Sequence, residues 1–313
     1  MDIGLPKAMR RPDFFIVGAP KCGTSALYSY LSDHPRVFLC RPKEPNYFTD
    51  FDYPRLKYAN SERHYLDLFR RATEEHLAVG EASASYLLIG EALERLRDFN
   101  PAARLIIMLR NPVEMVFAWH SQLLYSFEET ESDFRKAWDL QAERRQGRQI
   151  PRLCRDPRAL LYKDVASFSK HLECVQDLFP QEQILLVLQE HLYRNTAEVY
   201  GRVLGFLGVP ADGRKVFPRV NVAMYPSKGR YWKWVEHRPS FLFRAARIAK
   251  RLSGLSPDSI LSRLRVTRGG QESRPPLSSD LRTFLIEEFR PEIGQLESSL
   301  GEDLGHWLKG SAP

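Results

Sequence analysis

Long apolar runs are what this 313-residue chain most plainly lacks. Nothing in it approaches the roughly 20 apolar residues needed to cross a bilayer. The longest candidates, residues 14–17, 105–109 and 184–188, have the length of strands. The opening stretch MDIGLPKAMRRPDFF has basic residues but no apolar core behind them, so it does not read as a secretory signal, and a cytoplasmic protein is expected. Cysteine is scarce as well. Cys22, Cys40, Cys154 and Cys174 are the only four, and no C-x-x-C pair occurs among them. That spacing offers neither a zinc site nor a disulfide framework, so reduced thiols and no bound metal are expected. Acidic residues are scarce in one place: residues 227–275 hold twelve Lys/Arg against three acids. This segment carries +9 of a net +7, leaving −2 for the rest of the chain. Such local charge implies an anionic partner, whether a phosphorylated small molecule, an acidic lipid surface or nucleic acid.

What is present is the composition of an ordinary globular protein, 43% apolar and 27% charged, which excludes a disordered or collagen-like chain. Short continuous apolar runs at 14–17, 76–80, 104–109 and 183–188 read as buried parallel strands. Helical patterns separate them at 24–33, 61–71, 89–99, 113–125, 164–179 and 195–207, each stopped near a Pro or Gly. Strands alternating with helices predict an α/β fold, a three-layer sandwich with a central parallel sheet flanked by helices. Residues 128–156 are highly charged, and QAERRQGRQ predicts an exposed, solvated insert. Residues 239–253 form a basic amphipathic pattern with Phe241, Leu242, Ala245, Ile248 and Leu252 opposing Arg244, Arg247, Lys250 and Arg251. A lid or a peripheral membrane contact is the functional reading of that pattern, and a solvated helix the plain one. A last helix is predicted from 279 to about 300.

The sharpest motif is Gly18-Ala-Pro-Lys21-Cys22-Gly23-Thr24-Ser25-Ala26 between the first strand and the first helix. Backbone amides and a positive helix end make an anion cradle at such a turn. The glycine spacing is that of a P-loop, but Thr24 stands where the phosphate-binding lysine belongs and the lysine has moved to Lys21. Triphosphate chemistry with Mg²⁺ fits that arrangement poorly.

APKCGTSALYSYLSDHP closely resembles the phosphosulfate loop of sulfotransferases that use 3′-phosphoadenosine 5′-phosphosulfate (PAPS), and is most similar to the heparan sulfate N- and 3-O-sulfotransferase branch. The resemblance implies a P-loop-like fold and PAPS as donor, with 3′-phosphoadenosine 5′-phosphate (PAP) as product and no metal. It assigns Lys21 to the phosphosulfate bridge and Cys22, Gly23, Thr24, Ser25 and Ala26 to the 5′-phosphate. Arg41-Pro-Lys43-Glu44-Pro-Asn-Tyr-Phe48 is similar to the family segment whose glutamate is the catalytic base, so the resemblance makes Glu44 the base; Lys43 and Arg41 are candidate contacts to the sulfonate or an anionic acceptor, with a simple Lys43–Glu44 surface pair as the plain reading. Arg104-Leu-Ile-Ile-Met-Leu-Arg110-Asn-Pro112 matches the strand whose terminal arginine binds the 3′-phosphate, a role Arg110 inherits. Two departures stand out: Ala118 replaces a serine of that site, and Met115 replaces a frequent arginine. Ser121 is a candidate replacement, and His120 a candidate acceptor contact. Gly80-Glu-Ala-Ser83 resembles a further family motif, with Ala82 in place of a lysine. Ser227-Lys228-Gly229-Arg230 resembles the loop that closes over the 3′-phosphate.

These matches imply a single domain over residues 1–313, its core at about 13–226 and 277–307, with the insert at 128–156 and the basic segment at 231–275. The acceptor is expected to be a small molecule, a carbohydrate or a lipid, and not nucleic acid. A P-loop nucleotide or small-molecule kinase, and a non-catalytic module docked on a membrane surface, are the alternatives.

Overall fold

The structure is a computed structural model describing residues 10–50, 58–218, 220 and 276–309. The expected phosphate contacts Lys228, Gly229 and Arg230, and the amphipathic stretch 239–253, lie outside the described residues.

In chain order the elements are β1 (Phe14–Ile16), α1 (Thr24–Ser32), β2 (Val37–Leu39), α2 (Glu62–Asp67), β3 (Ala78–Ala82), α3 (Gly90–Phe99), β4 (Arg104–Leu109) and α4 (Pro112–Ser126). There follow α5 (Phe134–Asp139), α6 (Gln141–Arg145), α7 (Tyr162–Val165), α8 (Phe168–Leu178), β5 (Ile184–Leu188), α9 (Gln189–Arg194) and α10 (Thr196–Leu207), and last, after the segment not described, α11 (Ser279–Leu300). The five strands form one sheet in the order β2-β3-β1-β4-β5. Every neighbouring pair is parallel. The expected α/β sandwich is therefore the fold, with β1 at its centre.

Burial explains the sheet. Phe14, Phe15 and Ile16 of β1 are completely buried, as are Leu105 to Leu109 of β4. A strand covered on both faces needs such a continuous apolar run, since each large side chain taken from water contributes about 1.5–3 kcal/mol. α1 closes one side with Leu27 and Leu31, and α4 contributes Val113, Met115 and Val116. Met115 is completely buried, so the residue standing in place of the family's arginine is a core side chain. Gly18 sits where β1 leaves the sheet against β4. A Cβ there would meet the Met108 amide nitrogen at 1.9 Å, so only glycine lets the two backbones approach.

Residues 128–156 are the expected solvated insert only in part: in QAERRQGRQ (141–149) Arg144 alone is buried, but the rest of the segment contributes to the core. Phe134, Ala137 and Trp138 are buried, and Trp138 packs edge-on to Phe284 and Phe289 of α11 at 5.9 and 5.6 Å between ring centroids. Beneath them the Arg144 guanidinium grips the Glu129 carboxylate at 2.7 and 2.8 Å, with side chains only 1% and 0% exposed. The Tyr162 hydroxyl and the amides of Thr130 and Glu131 donate to the same carboxylate. Burial pushes the Glu129 carboxyl up, but Arg144 and Tyr162 outweigh it and hold the group below its usual range. Composition suggested solvent; one fully satisfied ion pair lets a charged segment enter the core instead.

Candidate functional site

At the C-terminal edge of the parallel sheet the chain turns from β1 into α1, the place where open α/β sheets form their ligand crevice. Two residues of this turn have left-handed backbone, Lys21 at φ 63° and Gly23 at φ 92°. Gly23 is the N-cap of α1, and the amides of Ala26 and Leu27 already bond back to its carbonyl. The amides of Gly23, Thr24 and Ser25 precede the first intrahelical bond, which makes them donors for an anion at the positive helix end. A Cβ on Gly23 would press on the Gln189 side chain and the Met108 methyl at 3.3 Å. The loop is stapled from two sides: Gln189 Nε2 donates to the Lys21 carbonyl at 3.1 Å, and an Arg110 guanidinium nitrogen donates to it at 3.4 Å.

The loop is one wall of a cavity of about 1410 Å³. Lys21, Gly23, Thr24, Ser25 and Ala26 line it, with Lys43, Glu44 and Arg110. The structure thus brings the loop lysine, the expected base and the strand-end arginine to one space. That volume exceeds the roughly 300–1,000 Å³ of a single small-ligand site, so it has room for a nucleotide and an acceptor together.

Glu44 is held by main chain more than by side chains. Its backbone is left-handed, φ 62°, as is that of Asn46, φ 52°. Its amide donates to the Ala82 carbonyl at 2.9 Å, and one carboxylate oxygen accepts from the Ala84 amide at 2.9 Å. The other oxygen pairs with Lys43 Nζ. Asn46 completes the loop: its side-chain amide donates to the Glu44 carbonyl at 3.1 Å, and its backbone amide donates to Ser83 Oγ at 3.1 Å. Among the described residues only five other than glycine have positive φ, and Lys21, Glu44 and Asn46 are three of them. Each such conformation costs on the order of 1–3 kcal/mol and persists only where its surroundings over-determine it, as these hydrogen bonds do.

Behind the base loop lies the carboxyl of the Gly80-Glu-Ala-Ser83 motif, to which the sequence assigns no role. Glu81 of β3 is fully buried and accepts from Tyr65 at 3.0 Å, Tyr86 at 2.9 Å and Ser83 at 3.1 Å. Burial pushes it up to about 7, against the pull of those three hydroxyls.

Arg110 leaves the end of β4 with one nitrogen 3.7 Å from the Glu114 carboxylate. Arg110, Glu114, Ala118 and Gln122 recur every four residues and all line the cavity. Gln122 accepts from Lys21 Nζ at 3.4 Å. The periodicity that selects Ala118 selects Gln122 one turn later, a signal available in the sequence.

Three expected residues are not where a ligand would meet them. Cys22 turns inward: its amide donates to the Ala19 carbonyl at 3.3 Å, its side chain is completely buried, and burial pushes the thiol up to about 12. It lies in the cradle's sequence without lining the cavity. His120 is a packing residue, 2% exposed between Phe134 and Tyr162, with Nε2 2.8 Å from the Glu131 carbonyl; burial lowers its pKa. Ser121, 4% exposed, donates back to the Phe117 carbonyl of its own helix and cannot replace the missing serine. Both follow from helix geometry, since 120 and 121 face the core while 118 and 122 face the cavity.

The same cavity is also lined by Glu128, Arg155 and Asp156 of the insert, Arg158 just beyond it, Lys170 of α8 and Trp119 of α4. Arg155 pairs with Glu128, and Arg158 bridges Asp156 and Asp50 at 3.0 Å each. Among the described residues no group of His, Cys, Asp and Glu is placed to hold a metal ion, and no helix is long and apolar enough to cross a membrane.

The profile of the family described as "Sulfotransferase domain" matches residues 11–225. Human bifunctional heparan sulfate N-deacetylase/N-sulfotransferase 3 is 25% identical over 320 residues, covering 96% of this chain and 31% of that protein. Human carbohydrate sulfotransferase 15 is 33% identical over 147 residues, covering 34% of this chain and 26% of that protein. The chain thus spans about a third or less of the length of these relatives. A crystal structure of a sulfotransferase from Alicyclobacillus acidocaldarius is similar with a TM-score of 0.67 and 27% identity, covering 96% of this chain and 100% of that one. With the match over 11–225 spanning the loop, the base segment, Arg110 and all five strands, the chain belongs to the sulfotransferase domain family.

Proposed function

We propose that this chain transfers a sulfuryl group from PAPS to a hydroxyl or amine of a carbohydrate-type acceptor. The observation that carries the reading is the convergence of Lys21, Glu44 and Arg110 on one cavity beside a helix N-terminus. The residues present suit such a donor: the amides of Gly23, Thr24 and Ser25 with the Lys21 ammonium for the 5′-phosphosulfate, and Arg110 for the 3′-phosphate. The donor supplies an activated sulfuryl group whose departure leaves charge on a phosphate oxygen. Lys21, a fixed cation with oriented amides around it, stabilises that developing charge without metal. Glu44 accepts the acceptor's proton as the new bond to sulfur forms and the bond to the phosphate oxygen breaks. The Ala84 amide on one carboxylate oxygen and Lys43 on the other fix its orientation. Carbohydrate acceptors are favoured by the names of the two human relatives, and the mixed-charge wall around Arg155 and Arg158 offers such an acceptor polar contacts.

Glu44→Gln tests the assignment. Transfer of labelled sulfate from PAPS to an acceptor pool should fall by about 10²–10⁴-fold while PAP binding stays within about twofold of native. Retention of full turnover would refute Glu44 as base. Nucleotide binding that appears only with Mg²⁺ would favour the kinase reading instead.

A further inference from the structure

Arg282 lies in the first turn of α11, far in sequence from the phosphate loop, yet it lines the same cavity. Its guanidinium donates to the Glu114 carboxylate at 2.5 Å. Glu114 thus stands between two arginines, with Arg110 3.7 Å away on its other oxygen. Only 11% of the Arg282 side chain and 12% of Glu114 are exposed. Two guanidiniums on one carboxylate leave a net positive charge in a mostly desolvated corner, an arrangement that favours an anion with further acceptor oxygens. The place of this corner on the cavity wall narrows the ligand. Arg110, Glu114 and Ala118 form one stripe along α4, and successive members of such a stripe have Cβ atoms about 5–6 Å apart. Ala118 offers a methyl group there and no donor. Arg282 reaches the middle of that stripe from α11, which packs on α4, and the positive N-terminal end of α11 adds to its charge.

We propose that Arg282 is a further guanidinium of the 3′-phosphate site, beside Arg110 and held in place by Glu114. From the neighbouring helix it supplies the donor that Ala118 lacks, and the planar fork lets it bond Glu114 with one edge and a phosphate oxygen with another. The inference rests on the PAPS reading of the same cavity, and its test separates the two.

Titration calorimetry in EDTA compares PAP with adenosine 5′-monophosphate, which lacks only the 3′-phosphate. Native protein should prefer PAP. Arg282→Ala should weaken PAP by about tenfold or more, a charge-assisted hydrogen bond's worth, while leaving the monophosphate within about twofold. Arg282→Lys should fall between native and Ala, because it keeps the charge and loses the fork. Melting temperatures accompany each variant. If the Ala variant does not fold, Arg282→Gln, which can still donate to Glu114, carries the same comparison. Equal losses for the two nucleotides would make Arg282 a scaffold residue joining α11 to α4 and overturn the proposal, and so would unchanged PAP affinity. Native protein with no preference for PAP would instead overturn the donor reading, and the role of Arg282 with it.

Discussion

The two walls of the cavity are built in different ways. The donor-facing part, the loop from Gly18 to Ala26 with the base segment at Lys43 to Asn46, takes its shape from main chain: positive φ at Lys21, Gly23, Glu44 and Asn46, and hydrogen bonds made by the amides of Glu44, Asn46 and Ala84. The part from Glu128 to Arg158 takes its shape from side-chain ion pairs: Arg155 with Glu128 and Arg158 with Asp156 and Asp50 at the cavity, and the buried Arg144–Glu129 pair within the same segment. Backbone geometry can be kept only by residues that tolerate it, and so it leaves a motif in the sequence. Ion pairs can be made by many residues at many positions, and leave none. A wall of the first kind suits a constant ligand such as a nucleotide, and one of the second kind an acceptor that differs between relatives.

The contrast can be broken most severely at the buried pair. Arg144→Ala leaves Glu129 charged without its partner, and thermal unfolding should show a loss of about 3–5 kcal/mol. Because the insert packs on α11, acceptor KM should rise while adenosine monophosphate binding changes little. A loss below about 1 kcal/mol would mean that the pair does not hold the insert.

The donor wall carries a pH dependence of its own. Glu81 is raised to about 7 in the folded state, so the native protein binds a proton that the unfolded chain, ionising near its ordinary value, has already released. Its contribution is full below about pH 4.5 and is lost as pH rises through 7, amounting to about 3 kcal/mol at most. Denaturant unfolding between pH 5 and 8 should show stability falling for native protein and a flatter profile for Glu81→Gln. Identical profiles would place the carboxyl's titration elsewhere.

The smallest effect belongs to the surface pairs. Arg158→Ala breaks contacts to Asp156 and Asp50 in which the arginine itself is about half exposed, so stability should change by less than about 1 kcal/mol. Any consequence should appear in acceptor KM alone, which steady-state kinetics with varied acceptor would read. A matching drop in PAP affinity would join the two walls into one.

Legibility followed the same division. β4 and α11 are visible because their runs and caps are long and regular, β1 because its apolar run ends in the glycine loop, and the loop and base segment because their glycines, prolines and charges sit in fixed order. β2 (Val37–Leu39) is no shorter than β1, but it has no glycine loop beside it to mark it as a strand end. The charged composition of 128–156 hid a core contribution, because counting charges does not reveal that Glu129 and Arg144 meet. His120 and Ser121 were considered for the cavity although the helix turns both inward; the four-residue step from Ala118 leads to Gln122 instead. Gln189 and Arg282 converge on the loop and on Glu114 only through the tertiary fold, and no local pattern marks them.

The central claim is that a loop lysine and helix-end amides hold a 3′-phosphorylated adenosine nucleotide without a metal. Calorimetric titration of the native protein with PAP in EDTA tests it most directly. The account predicts tight binding that added Mg²⁺ does not change and that Lys21→Ala weakens; absence of binding until Mg²⁺ is supplied would contradict it.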